Sequence, residues 1–236
     1  MDWLNRTELL LGKEKLTRLQ KSHVLVIGLG GVGAYAAEML CRSGIGQLTI
    51  VDGDNVELTN LNRQLPGTHS NIGKSKAFVL AERYKDINPA VKINVVNEYL
   101  KDERIVEILQ HDYDYVVDAI DTLTPKVNLI YHSVQRGLPI VSSMGAGGKL
   151  NPELIKATDI SKSYNCKLAR MLRKKLGRLG IRKGFKVVFS PEEVPESAVR
   201  IEEGTNKKSV VGTISYLPPA FGCHIAAVVI NDLIGQ

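Results

Sequence analysis

Cysteine is scarce in this chain. Cys41, Cys166 and Cys223 are the whole complement, too few and too scattered for a disulfide framework, and none falls in the C-x-x-C spacing of a zinc site. A reducing, cytoplasmic environment is the expectation. The amino terminus, MDWLNRTELLLGKEKL, has acidic residues early and lacks the uninterrupted apolar core of a secretory signal. Long apolar runs are missing too. The best candidate, AFGCHIAAVVINDLIG, is interrupted by His224, Asn231 and Asp232, and falls short of the roughly twenty residues that span a bilayer. It is expected to form a buried C-terminal helix, with no membrane span. Acidic residues are absent from residues 167–186, where nine Lys or Arg accumulate. The formal charge of +6 is therefore a local basic patch, and the rest of the chain nets −3. That asymmetry points to a polyanionic partner.

What is present reads as one α/β domain. The chain has 236 residues, 44% hydrophobic and 24% charged, enough for a single well-packed core. HVLVI, QLTIV, KINVV, YDYVVD and PIVSS are strand-like, and helical patterns separate them. This alternation predicts a Rossmann-like, doubly wound, mostly parallel sheet. Residues 1–148 form its nucleotide-binding core. Residues 149–236 supply a crossover segment with a basic helix, an antiparallel extension from KVVFS and SVVGTISYL, and the C-terminal helix. Leu168, Met171, Leu172, Leu176 and Leu179 are expected on one face of the basic helix. Cys41 and Cys223, in apolar helical patterns, are expected in the core.

Gly28-Leu29-Gly30-Gly31-Val32-Gly33 fits G-x-G-x-x-G between a strand and a helix. Glycines at 28, 30, 31 and 33 let the backbone turn and approach phosphate oxygens at a helix N-terminus. Asp52 closes the second strand, where a dinucleotide fold places its ribose-binding acid. To this point a nicotinamide dehydrogenase fits. The continuation, DGDNVELTNLNRQ, carries Asp54, Asn60, Asn62, Arg63 and Gln64 in one loop, and Lys76 follows in NIGKSKA. An Arg and a Lys converging on one site suit a triphosphate, whose charge must be neutralised before attack at its α-phosphorus. Asp121 and Thr122 stand just beyond the fourth strand, where a carboxylate can hold Mg²⁺ against phosphate oxygens.

GLGGVG, DGDNVELTNLNRQ, GKSKA and DAIDT, in this order and spacing, resemble the ubiquitin-activating-enzyme superfamily. That resemblance runs from about Leu4 to the C-terminus. It implies a carboxylate-activating enzyme that uses ATP and Mg²⁺ and is a homodimer in bacterial forms. It also implies roles for Arg63 and Lys76 on phosphates, Asp52 on ribose, Asn60 and Gln64 lining the site, and Asp121 on magnesium. Arg6, in LNRTELLLG, would reach the neighbouring subunit's nucleotide. ATDISKSYNCKLARMLRKKLGRLGI, KVVFSPEE and VGTISYLPPAFG resemble the branch that dehydrates threonylcarbamoyladenosine in tRNA. The basic helix agrees with a tRNA partner. A sulfur-trafficking protein stays open as a further partner. Two alternatives also stay open: a sulfur-carrier-protein adenylyltransferase, using Cys166 as its thiol, and a nucleotide-binding module without chemistry.

Overall fold

The structure is a computed structural model that describes residues 3–200 and 210–235. Seven strands form one sheet: β1 His23–Ile27, β2 Gln47–Val51, β3 Lys92–Val96, β4 Tyr115–Asp118, β5 Ile140–Ser143, β6 Lys156–Asp159 and β7 Lys186–Phe189. Their spatial order is β3-β2-β1-β4-β5-β7-β6. All neighbours run parallel except β6, which pairs antiparallel with β7 at the edge. The alternating, mostly parallel architecture agrees with the sequence expectation. The edge strand β6 lacks a strand-like sequence pattern, because KATD has only one apolar residue and lies exposed or half-buried.

Alternation along the strands sends Val24, Val26, Leu48 and Ile50 to one face of the sheet and Leu25, Ile27 and Val116 to the other. The first face is covered by α2 (Lys13–Lys21), α3 (Gly33–Arg42), α4 (Lys76–Ile87) and α8 (Leu217–Ile234). The second is covered by α5 (Glu103–Ile108), α6 (Leu123–Gln135) and α7 (Lys167–Arg178). A short α1 (Asn5–Leu11) precedes them.

Several expectations need correcting. On α7 the buried line is Ala169, Leu172 and Leu176, whereas Met171 is 40% exposed and Leu179 46% exposed. Met171 sits roughly 100° around the helix from Leu172, and Leu179 is already the C-cap. Cys41 is buried as expected, but Cys223 is exposed on the outer side of α8. The strand read in SVVGTISYL shrinks to β9 (Val210–Val211), which pairs with β8 (Val199–Arg200), and Ser209 lies outside the described residues.

The C-terminal helix is longer than its apolar run. It starts at Leu217 with proline in its first turn, where a missing N–H costs nothing. By length and composition this helix alone, among the described residues, could cross a membrane. Its buried side chains Phe221, Ile225 and Val229 belong instead to the core shared with α3.

Candidate functional site

The strand order sets the position of the site. From β1 the chain winds outward through β2 to β3, and from β4 it winds the other way through β5. In an open α/β sheet the ligand crevice is expected where the winding reverses, here between β1 and β4 at their carboxyl ends. Three loops meet there: the glycine loop after β1, residues 52–75 after β2, and residues 119–122 after β4.

The glycine loop is shaped by contact. Gly28 has φ +88°, and a Cβ there would lie 2.7 Å from the Ala119 carbonyl oxygen. A Cβ on Gly33 would lie 1.8 Å from the Gly28 carbonyl oxygen. Neither position accepts a side chain. Gly30 faces the Gln64 amide, and Gly31 faces the Arg63 backbone and Pro218 of α8. Asp52 ties this loop to β2, because one carboxylate oxygen accepts the Leu29 N–H at 2.6 Å and the other accepts the Asp54 N–H at 2.8 Å. Burial pushes the Asp52 carboxyl above its usual range, against the opposing pull of those amides and of Lys76.

The long polar loop holds its own shape with much of its hydrogen-bonding capacity. Asn60 is buried and closes a short 3-10 turn: its side chain accepts the Glu57 N–H at 3.1 Å, and Glu57 answers as the other half of a capping box. Asn62 donates to the Thr213 carbonyl at 3.0 Å, fastening this loop to the segment before α8. Arg63 donates to the Thr59 carbonyl at 2.9 Å and to Asn62 at 2.8 Å. Gln64 differs. Its side-chain oxygen is buried and has no hydrogen-bond partner among the described residues, and its amide nitrogen is the side-chain atom nearest Gly30.

Lys76 opens α4 and is buried, and its ammonium donates to Asp54 at 2.9 Å. Tyr99, from the segment after β3, donates its hydroxyl to the other oxygen of Asp54. That bond pushes the Tyr99 hydroxyl up to about 12. Across the crevice, Asp121 is exposed and Thr122 is the extended N-cap of α6. The β4 carboxylate itself, Asp118, is fully buried and paired with Lys126 at 2.7 Å. These contacts bring together Gly28, Gly30, Gly31, Gly33, Asp52, Asp54, Arg63, Gln64 and Lys76, with Asn60 and Asn62 holding the loop's shape, while Asp121 and Thr122 stand on the loop whose Ala119 backs Gly28. Arg6 lies apart, exposed on α1.

Two features escaped the sequence reading. Tyr99 sits in NEYL, which reads as strand and gives no sign of a hydroxyl turned to Asp54. Lys126 lies in PKVNLI, where a lone lysine on an apolar helix face was the available signal of a buried partner.

A family model described as the ThiF family matches residues 4–236. A tRNA threonylcarbamoyladenosine dehydratase of Bacillus subtilis is 37% identical over 238 residues, covering 98% of this chain and 94% of the relative. The crystal structure of Escherichia coli tRNA N6-threonylcarbamoyladenosine dehydratase in complex with ATP superposes with a TM-score of 0.90 at 33% identity, covering 98% of this chain and 93% of that one. The same E. coli protein in complex with AMP gives 0.88 at 33% identity, with the same coverage of 98% and 93%.

Proposed function

The chain belongs to the ThiF family, and from that premise we propose that it is an ATP-dependent tRNA threonylcarbamoyladenosine dehydratase. The observation that carries this reading is the extent of the likeness to such dehydratases. It runs through both halves of the chain, the basic helix included, and not through the nucleotide-binding core alone.

ATP fits the crevice on its own terms. The glycine loop offers backbone N–H groups where no Cβ intrudes. Arg63 and Lys76 supply cations for the phosphates, and Gln64 lies beside Gly30. Asp52 faces the ribose from the end of β2, with Asp54, Asn60 and Asn62 framing the loop and Thr122 its far wall. Lys76 is neutralised by Asp54 in the free protein, so phosphate oxygens would take over part of a bond already formed. Magnesium fits Asp121, a hard oxygen donor exposed at the edge of the crevice. An ion held by one carboxylate together with nucleotide phosphates needs no cage of protein ligands. When bound, it would neutralise phosphate charge.

In the proposed reaction the carboxylate of the tRNA modification attacks the α-phosphorus and displaces pyrophosphate. A nitrogen or oxygen of the same modification then attacks the activated carbonyl carbon, gives up its proton and releases AMP. The modification loses one water in total. The chain's contribution is charge neutralisation and alignment, because the second nucleophile belongs to the substrate.

We place the protein in the cytoplasm as a homodimer. Arg6 shares its exposed surface with Trp3, Leu9 and Leu10, exposed at 49%, 83% and 83%. An apolar patch of that kind suits a second copy, which would carry Arg6 to the neighbouring crevice. Nucleotide release tests the reading. With ATP and tRNA bearing threonylcarbamoyladenosine, AMP should appear in proportion to modified tRNA. AMP release that requires a carrier protein with a Gly-Gly tail would replace the dehydratase by an adenylyltransferase.

A further inference from the structure

Asp118, Lys126 and Ser142 form a fully buried polar group that no step above uses. Asp118 and Ser142 are register partners across β4 and β5, and Lys126 reaches them from the second turn of α6. Ser142 donates to Asp118 at 2.6 Å. The Lys126 ammonium donates to the same carboxylate oxygen at 2.7 Å and to the Ser142 hydroxyl at 3.1 Å. Asp118 turns its other oxygen toward the loop above, where it accepts the Ile120 N–H at 3.1 Å.

A buried ion pair is a poor source of stability. Desolvation offsets most of its attraction, and apolar residues of similar volume often serve as well. What this group does have is a target. Hydrogen bonds fix Ala119, Ile120 and Thr122 of the 119–122 loop. Ala119 donates to the Ile27 carbonyl at 2.9 Å, Ile120 donates to Asp118, and Thr122 accepts the Lys126 N–H at 3.4 Å. Asp121 is the exposed member of the four. The same loop backs the glycine loop, since the Ala119 carbonyl fills the space a Gly28 side chain would need. Asp118 thus bonds to a loop that packs against the glycine loop.

We infer that Asp118, Lys126 and Ser142 are positioning residues, which set the 119–122 loop and through it Asp121 and the glycine loop for nucleotide binding. This inference rests on the adenylation reading and assigns the triad no contact with substrate. The exposed carboxylate needs a fixed base, because a loop left to itself would lose nucleotide affinity without losing the fold.

The test separates affinity from stability. Asp118→Asn combined with Lys126→Met removes both charges and keeps the volume, so its thermal midpoint should stay within about 5 °C of the parent. Its Kd for ATP, read by calorimetry, should rise about tenfold, the scale of losing a supporting shell. Glu38→Gln is the control, since Glu38 is buried among Arg42 and Arg83 between α3 and α4. It should lower the midpoint and leave ATP affinity unchanged. Equal ATP affinity in the folded double variant and the parent would overturn the inference. Should the double variant not fold, Ser142→Ala decides, with a rise of about threefold in Kd expected and an unchanged Kd contradicting it. A parent that binds ATP but never dehydrates the modified tRNA would remove the proposed function and leave this inference standing. A parent that binds no ATP would remove both.

Discussion

A buried ammonium needs a partner, and Lys76 has Asp54 at 2.9 Å. Ligand phosphates would have to compete with that carboxylate, so Lys76 matters to affinity only through charge-assisted bonds to nucleotide. Lys76→Ala and Arg63→Ala should each weaken ATP binding by about 2 kcal/mol, or roughly thirtyfold. Calorimetry checks this, with NAD as the comparison ligand. Clear NAD binding without an ATP signal would sink the adenylation reading. The three thiols divide by surroundings. Burial raises the Cys41 thiol to about 11, which leaves it inert. Cys223 is exposed, and Cys166 is buried at the N-cap of α7. A reaction whose nucleophile lies within the substrate needs none of them. Cys166→Ser should keep most ring-forming activity in a folded protein, as scored by product nucleoside. Loss of turnover with ATP binding intact would favour a thiol relay.

At the scale of elements, α7 combines two roles. Ala169, Leu172 and Leu176 anchor it on the sheet. Arg173 is spent on structure, because its guanidinium donates to the Ser163 carbonyl at 2.9 Å and also meets the Ser163 hydroxyl. Lys174 and Arg178 of α7, and Arg182 just beyond it, remain exposed. Replacing those three by Gln should weaken tRNA binding and flatten its salt dependence while leaving ATP affinity alone. Unchanged tRNA affinity would make α7 a solvated face. Between α3 and α4, burial opposes the Glu38 charge, but bonds from Arg83 and Arg42 outweigh it and hold the carboxyl below its usual range. Its stabilisation is therefore present above the unfolded carboxylate range and lost as pH falls through the depressed native value. Glu38→Gln should cost about 1 kcal/mol near pH 7 and less near pH 3, as read from urea midpoints. The elements themselves were largely legible. Runs such as HVLVI and QLTIV are strands because both faces of the sheet are covered, and apolar continuity records that. KATD at the edge carries no such record, and neither does the turn of Asn60 back on Glu57. Residue type places polar groups in a loop, whereas only folding decides which of them face a ligand and which hold the loop.

At the scale of the whole molecule, the glycine loop lies against α8 through Gly31 and Pro218, and Asn62 reaches the Thr213 carbonyl, so α8 and the segment before it border the two loops that follow β1 and β2. The proposed homodimer would extend these contacts across subunits through Arg6. If Arg6 acts in the neighbouring site, inactive Arg6→Ala mixed with inactive Asp121→Asn should recover activity, because one hybrid site carries both wild-type residues. Failure to recover, with subunit exchange confirmed, would confine Arg6 to its own subunit's surface. The central claim, loss of water from a modified nucleotide at the expense of ATP, is tested most directly by the nucleosides themselves. Threonylcarbamoylated tRNA is incubated with the protein, ATP and Mg²⁺, digested under mild conditions and weighed by mass spectrometry. Threonylcarbamoyladenosine should be replaced by a nucleoside lighter by one water, only when ATP is present and with AMP formed in step. Unchanged threonylcarbamoyladenosine, from protein that binds both ATP and tRNA, would contradict it.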